Sequence, residues 1–327
     1  MTFPIASGGT LYPSGGTANT LAATGFVPTI WSGKLIEKFY ASTVLAAISN
    51  TDYQGEIKNQ GDTVNIRTKP TITISSYSAD QALALQRPSG NMISLLINQG
   101  EYFNTILDDV MEVQTDLNLL NMWSDDAGEQ MKIVIDTNVL AGILGGATAT
   151  TNRGGTAGKI SANINLGVSG STPLAIVNRS PAAGKVEVVD AILRLGQTLD
   201  EQNIPENGRW VVLPAWAATL IKGSELREAY LSGDGQSMLR NGKIGMVDRF
   251  TLYTSNLLPT GVAGGLAAGE FAMYAGHAHG LTFASQMTKM ETLRSEMTFG
   301  TIMRGLQVFG YKVVDGTALA QAIIIPG

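Results

Sequence analysis

Residues 207–224 read NGRWVVLPAWAATLIKGS. Trp210, Val211, Val212 and Leu213 form an unbroken apolar run too short for a helix, which predicts a strand buried on both faces. Pro214 has no N–H to give a sheet, but its fixed φ suits the first turn of a helix, so residues 215–222 are expected to be helical. Upstream, Val186, Val188, Val189, Ile192, Leu193, Leu195 and Leu199 mark an amphipathic helix ending near Asn203 and Pro205. Downstream, residues 241–247, 250–254 and 271–275 read as strands, with a Gly- and Ala-rich loop at 261–269. Strands and helices mixed without regular alternation indicate the α+β class.

Further towards the N-terminus lies the strongest periodic signal. Ile106, Val110, Val113, Leu117, Leu120, Ser124, Ala127, Met131, Val134, Asn138 and Ala141 recur at spacings of four and three, without proline, and Gly142, Gly145 and Gly146 supply a stop. The expectation is one helix over 106–141, on the order of 54 Å long at 1.5 Å per residue. A coiled coil is the competing reading, although no other segment extends the repeat.

Residues 55–100 switch to a period of two. Val64 and Ile66 alternate with Thr63, Asn65 and Arg67, and Ile72 and Ile74 alternate with Thr71, Thr73 and Ser75, with Pro70 between the two runs. With the apolar run 92–97, this reads as a long hairpin with a polar tip near 78–89. Such a hairpin is marginal alone in water and needs a surface to lie on. Before it, Ser32 can cap a helix from about residue 33 to 48. Residues 1–33 carry no charge and are broken by glycine, serine, threonine and proline. They form either a solvated tail or an arm ordered against a neighbour; Phe3, Leu11, Tyr12, Phe26 and Trp31 favour the arm, since a tail has no use for large apolar groups.

Beyond the central region, residues 148–184 hold three charges, Arg153, Lys159 and Arg179, and read as an irregular insertion with one short hairpin pairing 160–164 with 174–177. At the C-terminal end, runs 311–314 and 319–325 flank Asp315-Gly316, which predicts a closing hairpin.

Composition narrows the function. The 327 residues are 44% hydrophobic and only 15% charged, with 38 glycines, so much of the surface is uncharged and suited to meeting other copies. A net charge of −5 without Lys/Arg clusters gives no basis for tight nucleic-acid binding. The absence of cysteine removes disulfides and thiolate chemistry and fits synthesis in a reducing cytoplasm. No secretory signal and no membrane span is expected.

The order of these parts resembles the major capsid proteins of tailed bacteriophages, the Hong Kong 97-type fold. The matching phrases are residues 31–50 as lead-in helix, GDTVNI at 61–66 as the start of the extended E-loop, 106–141 as spine helix, 207–224 as the strand-proline-helix phrase of the axial domain, and FGYKVV at 309–314 with 318–325 as the closing strands. The resemblance implies an N-terminal arm (1–33), lead-in helix (34–54), E-loop (55–103), peripheral domain with spine helix (104–147), axial domain (185–280) and peripheral closing strands (281–327). Residues 148–184 have no family counterpart. It implies a homo-oligomer of hexamers and pentamers, with packaged DNA as neighbour and with separate scaffolding, portal and decoration proteins. The virion capsid would be its location. An encapsulin-type compartment, or a tail or surface-layer protein, is the alternative.

Candidate chemistry is sparse. His277 and His279 could face one side of a strand, but two ligands do not make a metal site, and loop residues are the simpler reading. Asp108-Asp109 and Asp125-Asp126 diverge by about 100° on a helix and cannot share a proton. No nucleophile elbow, phosphate loop or dinucleotide fingerprint occurs, so no enzyme activity and no cofactor is expected. In the family some E-loop lysines are joined to a neighbour's asparagine, which makes Lys58 and Lys69 candidates beside their reading as solvated lysines. The expected inter-subunit contacts are therefore Phe3, Leu11, Tyr12, Phe26, Trp31, Lys58, Lys69, Ile72 and Ile74.

Overall fold

The computed structural model describes residues 40–41, 43–52, 63–114, 118–179, 182–224, 246–261 and 265–327. Its centre is the strand announced by the WVVL run. This strand, β6 (Arg209–Leu213), is buried at every position. It lies in a seven-stranded sheet of order β5-β4-β12-β9-β6-β8-β7, with β4 at Leu174–Val177, β5 at Lys185–Glu187, β7 at Met246–Val247, β8 at Phe250–Thr254, β9 at Phe271–His277 and β12 at Leu319–Pro326. Alternate side chains of β6 serve two cores. Val211 and Leu213 pack under helices α4 (Val188–Glu201) and α5 (Ala215–Gly223). Trp210 and Val212 face the opposite layer, where α3 (Leu119–Gly142) contributes Ile135, Val139 and Leu140 and the one-turn helix α1 (Leu45–Ile48) contributes Leu45 and Ile48. Tyr274 Oη donates to the Leu140 carbonyl at 3.0 Å, tying sheet to helix; burial pushes its phenol further up from 10.

A second body is the three-stranded antiparallel sheet β10-β11-β3. Here β3 is Gln99–Asp108, β10 is Leu281–Arg294 and β11 is Gly300–Val313. Fourteen residues per strand in β10 and β11 make it roughly 45 Å long. A third sheet pairs β1 (Thr63–Arg67) with β2 (Met92–Leu96), in the register Thr63↔Leu96 to Arg67↔Met92. Its root packs Ile66, Leu95 and Ile97 against Ala284. Gly310 permits this contact: a Cβ there would stand 2.1 Å from the Leu96 carbonyl oxygen and 2.9 Å from Ile97 Cα.

The α+β mixture is the one expected, and several elements differ from the sequence reading. The single helix over 106–141 is not formed. Ile106 lies on β3, a short helix α2 (Asp109–Gln114) follows, and α3 begins at Leu119 behind its N-cap Asn118, whose side chain accepts the Asn121 N–H. The four-three spacing does run through Ile106. A ten-residue ladder with β11, Gln99↔Phe309 to Asp108↔Gly300, overrides it. Of the helix expected over 33–48, residues 33–39 and 42 lie outside the described residues, while 40, 41, 43 and 44 are not helical and only Leu45–Ile48 is. Residues 71–75 form no strand and pair with none among the described residues.

The segment 148–184, expected to be irregular, contributes to the large sheet. Leu174–Val177 is an inner strand between β12 and β5, parallel to both, and Ile164 and Leu166 are buried. Residues 160–164 do not pair with it; Ile164 bridges Ala157 instead. Nor do 311–314 and 319–325 form a hairpin. After a corner in which Asp315 Oδ1 accepts the Thr317 N–H at 2.9 Å, β12 leaves the three-stranded sheet and inserts between β4 and β9. The run LAQAII, Leu319 to Ile324, is buried throughout. It needs cover on both faces, which the middle of the large sheet provides and a two-stranded hairpin cannot.

Candidate assembly surfaces

From the β1/β2 root the chain runs out through residues 68–91 with no strand or helix and nothing buried. Thr68 N–H and Oγ1 both donate to the Asn91 carbonyl and close the neck. Further out, the Gln86 side chain holds Thr73 from both directions, accepting its N–H at 3.1 Å and donating to its carbonyl at 2.6 Å. Gln81 accepts from the Ser78 N–H at the tip, where Asp80 takes a left-handed conformation. These bonds fix a narrow, extended loop. Along it stand Ile72, Ile74, Tyr77, Leu83 and Leu85, with Ile74 88% and Leu85 96% exposed. Such a run of solvated apolar groups marks a contact surface.

Of the residues singled out from sequence, Ile72, Ile74 and Lys69 are thus placed together on this loop and exposed. Phe3, Leu11, Tyr12, Phe26, Trp31 and Lys58 lie outside the described residues.

A second apolar surface escaped the sequence reading. At the far end of the three-stranded sheet, the β10/β11 turn exposes Met297 (95%) and Phe299 (83%), and α2 beside it exposes Val110, Met111 and Val113. The two pieces are joined by Asp109: its N–H donates to the Phe299 carbonyl, and its carboxylate takes both Nη groups of Arg294. The apolar Met-Thr-Phe at a turn was the available signal. Asp108-Asp109 accordingly sits at a strand-helix junction, not on a helix face.

Across the open face of the same sheet, Glu291 accepts from Lys289 and Arg304, and these bonds hold its carboxyl below the usual range. On the large sheet, buried Arg209 donates to the Ile204 and Pro205 carbonyls and pairs with Asp200 at 2.7 Å. Arg249 joins Asp200 to Glu206. These charges are spent within the subunit.

His277 ends β9, and its Nδ1 accepts the His279 N–H at 3.2 Å. Among the described residues no group of three His, Cys, Asp or Glu side chains is placed to hold a metal, and no helix is long and apolar enough to cross a membrane. An open cleft of about 540 Å³ between 144–156 and 265–266 is lined mainly by glycine, threonine, leucine and Arg153, with no carboxylate or histidine.

The two packed sheets thus carry exposed apolar side chains on the 68–91 loop and at the β10/β11 turn. The comparisons with known proteins agree. The family model described as phage capsid protein matches residues 102–322. Among solved structures, the chain is similar to one from Mycobacterium phage Che8, with 26% identity, TM-score 0.72, and 92% of this chain and 97% of that one covered. It is also similar to the capsid structure of the cyanophage P-SCSP1u (17% identity, TM-score 0.70, 96% of each chain) and to the mature capsid of bacteriophage PhiM1 (15%, 0.67, 94% of each). No curated protein matches it. The chain belongs to the phage capsid protein family. Its fold is the Hong Kong 97-type capsid fold, and its function is that of a major capsid protein, a structural protein of the virion head shell.

Proposed function

We propose that this subunit closes an icosahedral shell of hexamers and pentamers by laying two extensions, residues 1–33 and the loop 68–91, across neighbouring copies. The observation that carries this reading is the row of five large, exposed apolar side chains on 68–91. On this reading the three-stranded sheet with α3 is the peripheral domain, the seven-stranded sheet is the axial domain, and Phe3, Leu11, Tyr12, Phe26, Trp31, Ile72 and Ile74 make contacts between copies. Each contact is weak, so misplaced subunits dissociate. The closed shell is stable because every further contact of a seated subunit is effectively intramolecular. The role is structural and involves no catalysis. Synthesis in the host cytoplasm, a separate scaffold, a portal, decoration proteins and DNA enclosed without sequence-specific contact complete the proposal. Lys58 and Lys69 act as solvated side chains: denaturing gels of assembled particles should give one monomer band, and a ladder would assign them a covalent role. Deleting residues 1–30 should leave a folded subunit that forms no normal shells by electron microscopy. Normal shells would remove the arm from the mechanism.

A further inference from the structure

Between α4 and β6 the chain makes an exposed turn at Asn207-Gly208. Its flanks are held. Arg209 Nε and Nη2 donate to the Pro205 (2.9 Å) and Ile204 (2.6 Å) carbonyls, and Arg249 pairs with Glu206. The segment thus bends around one buried guanidinium and leaves Asn207 and Gly208 on its crest. Gly208 takes a left-handed φ of 79°, which glycine adopts without steric cost. Neither the Asn207 side-chain amide nor the Gly208 N–H forms a hydrogen bond among the described residues.

An asparagine followed by glycine carries an electrophile and a nucleophile on adjacent residues, so their reaction is intramolecular. When the Gly208 nitrogen gives up its proton and attacks Asn207 Cγ, a five-membered imide closes. The Cγ–Nδ2 bond breaks, and Nδ2 leaves as ammonia with a proton returned to it. Water then opens the ring. Cleavage of the new bond at Cγ restores the ordinary chain with aspartate at 207. Cleavage at the Asn207 carbonyl carbon leaves the chain running through Cγ, an isoaspartate with an additional methylene in the backbone. No electrons are transferred, and water is the only co-reactant. A side chain at residue 208 would crowd the attacking nitrogen, and a hydrogen-bonded amide would first have to break its bond. The turn imposes neither obstacle, and its exposure admits the water.

We infer that Asn207-Gly208 is a self-modification site of the folded subunit, converting without an enzyme to aspartate and isoaspartate. Either product puts a new carboxylate next to Glu206. Isoaspartate also lengthens the chain immediately before Arg209, the first residue of β6, while the guanidinium of Arg209 stays tied to Asp200, Ile204 and Pro205 on the other side of the insertion. The inserted methylene therefore strains these bonds, whereas aspartate leaves the backbone as it was.

The test incubates the full, unassembled chain natively and in denaturant, in mildly acidic and mildly alkaline buffer, and locates the change by peptide mass spectrometry with fragment spectra. Asn207 of the native subunit should convert at a rate within about tenfold of the denatured chain. Conversion should be faster in alkaline buffer, because the attacking nitrogen must shed its proton. It should be at least about tenfold faster than at Asn91-Met92 and Asn203-Ile204, which are exposed but followed by bulkier residues. Asn241-Gly242, the other such pair, lies outside the described residues and is read as a separate peptide. Native conversion slower than in denaturant by about a hundredfold or more would show that the turn withholds the attack, and would overturn the proposal. N207Q can close only a six-membered ring, so it should keep its amide and melt with the parent; conversion of N207Q at the parental rate would overturn the ring-closure chemistry. N207D carries the charge without the additional methylene, so aged protein enriched in isoaspartate should melt below N207D. Coincident melting would overturn the claimed strain at Arg209.

Discussion

Ile74 and Leu85 stand 88% and 96% exposed on the extended loop, so truncating both to alanine separates association from folding. Each change removes three carbons, and at about 0.8 kcal/mol per buried methylene the pair would contribute about 5 kcal/mol if association buried them fully. Half burial gives about 2.5 kcal/mol, roughly a seventyfold rise in the concentration at which shells form. The isolated subunit should lose less than about 0.5 kcal/mol, because neither side chain packs on its own body. Light scattering against concentration reads the first quantity, with negative-stain images to identify closed shells; thermal melting of the unassembled subunit reads the second. A threshold within twofold of the parent would refute the assignment of the loop to inter-subunit contact. A fall in melting temperature of several degrees would show that the loop rests on its own subunit.

Glu201→Gln should loosen the loop that α4 holds. Burial opposes ionisation of Glu201, but the N–H groups of Ile160 and Ser161, with the Gln197 amide, outweigh it and bring the carboxyl from 4.5 to about 2. Because the folded value is the lower one, the stability is present above the unfolded value and is lost as pH falls through the folded one. E201Q should cost about 1–2 kcal/mol at pH 7, after discounting for solvent access, with the gap closing between about pH 4.5 and 2; a gap independent of pH would contradict the clamp. Gly310→Ala should cost about 2–3 kcal/mol in chemical denaturation, since its Cβ would meet backbone at 2.1 Å and neither strand can yield; an unchanged midpoint would mean that the β1/β2 root does not sit on β11.

How far the fold could be read depended on whether local pattern and long-range pairing agreed. At Trp210–Leu213 and Pro214 they do, and the strand, the turn and the helix appear where the residues put them. At Ile106 they conflict: a helical spacing continues into residues whose N–H and C=O groups are claimed by β11, and a full ladder outweighs the weak preference of a few residues for helix. The same conflict misplaced 174–177 and 319–326. Both were recognised as strands, but partners nearly 150 residues apart in sequence, Leu174 and Ile324 among them, leave no local trace. Only the apolar character of LAIV and of LAQAIIIP, interrupted by Gln321 alone, hinted at the middle of a sheet.

The assembly surfaces divide on the same ground. Ile72 and Ile74 were legible because alternation without a second apolar face nearby leaves a strand-like run with nothing to cover it. They form no ladder and are exposed. An apolar run exposed in its own subunit keeps its side chains for another chain, even though the Gln86 side chain occupies the Thr73 backbone groups. The burial of Asp136 was not legible, since a lone aspartate in a helix looks solvated until the Val44 N–H is found on it. Around Arg209 and Asp200 charge is used inward, to fix geometry, while on the proposed reading the loop would meet other copies largely through Ile72, Ile74, Tyr77, Leu83 and Leu85, which suits a lattice whose copies must meet in more than one arrangement: apolar contact tolerates small rotations that a paired buried charge would not.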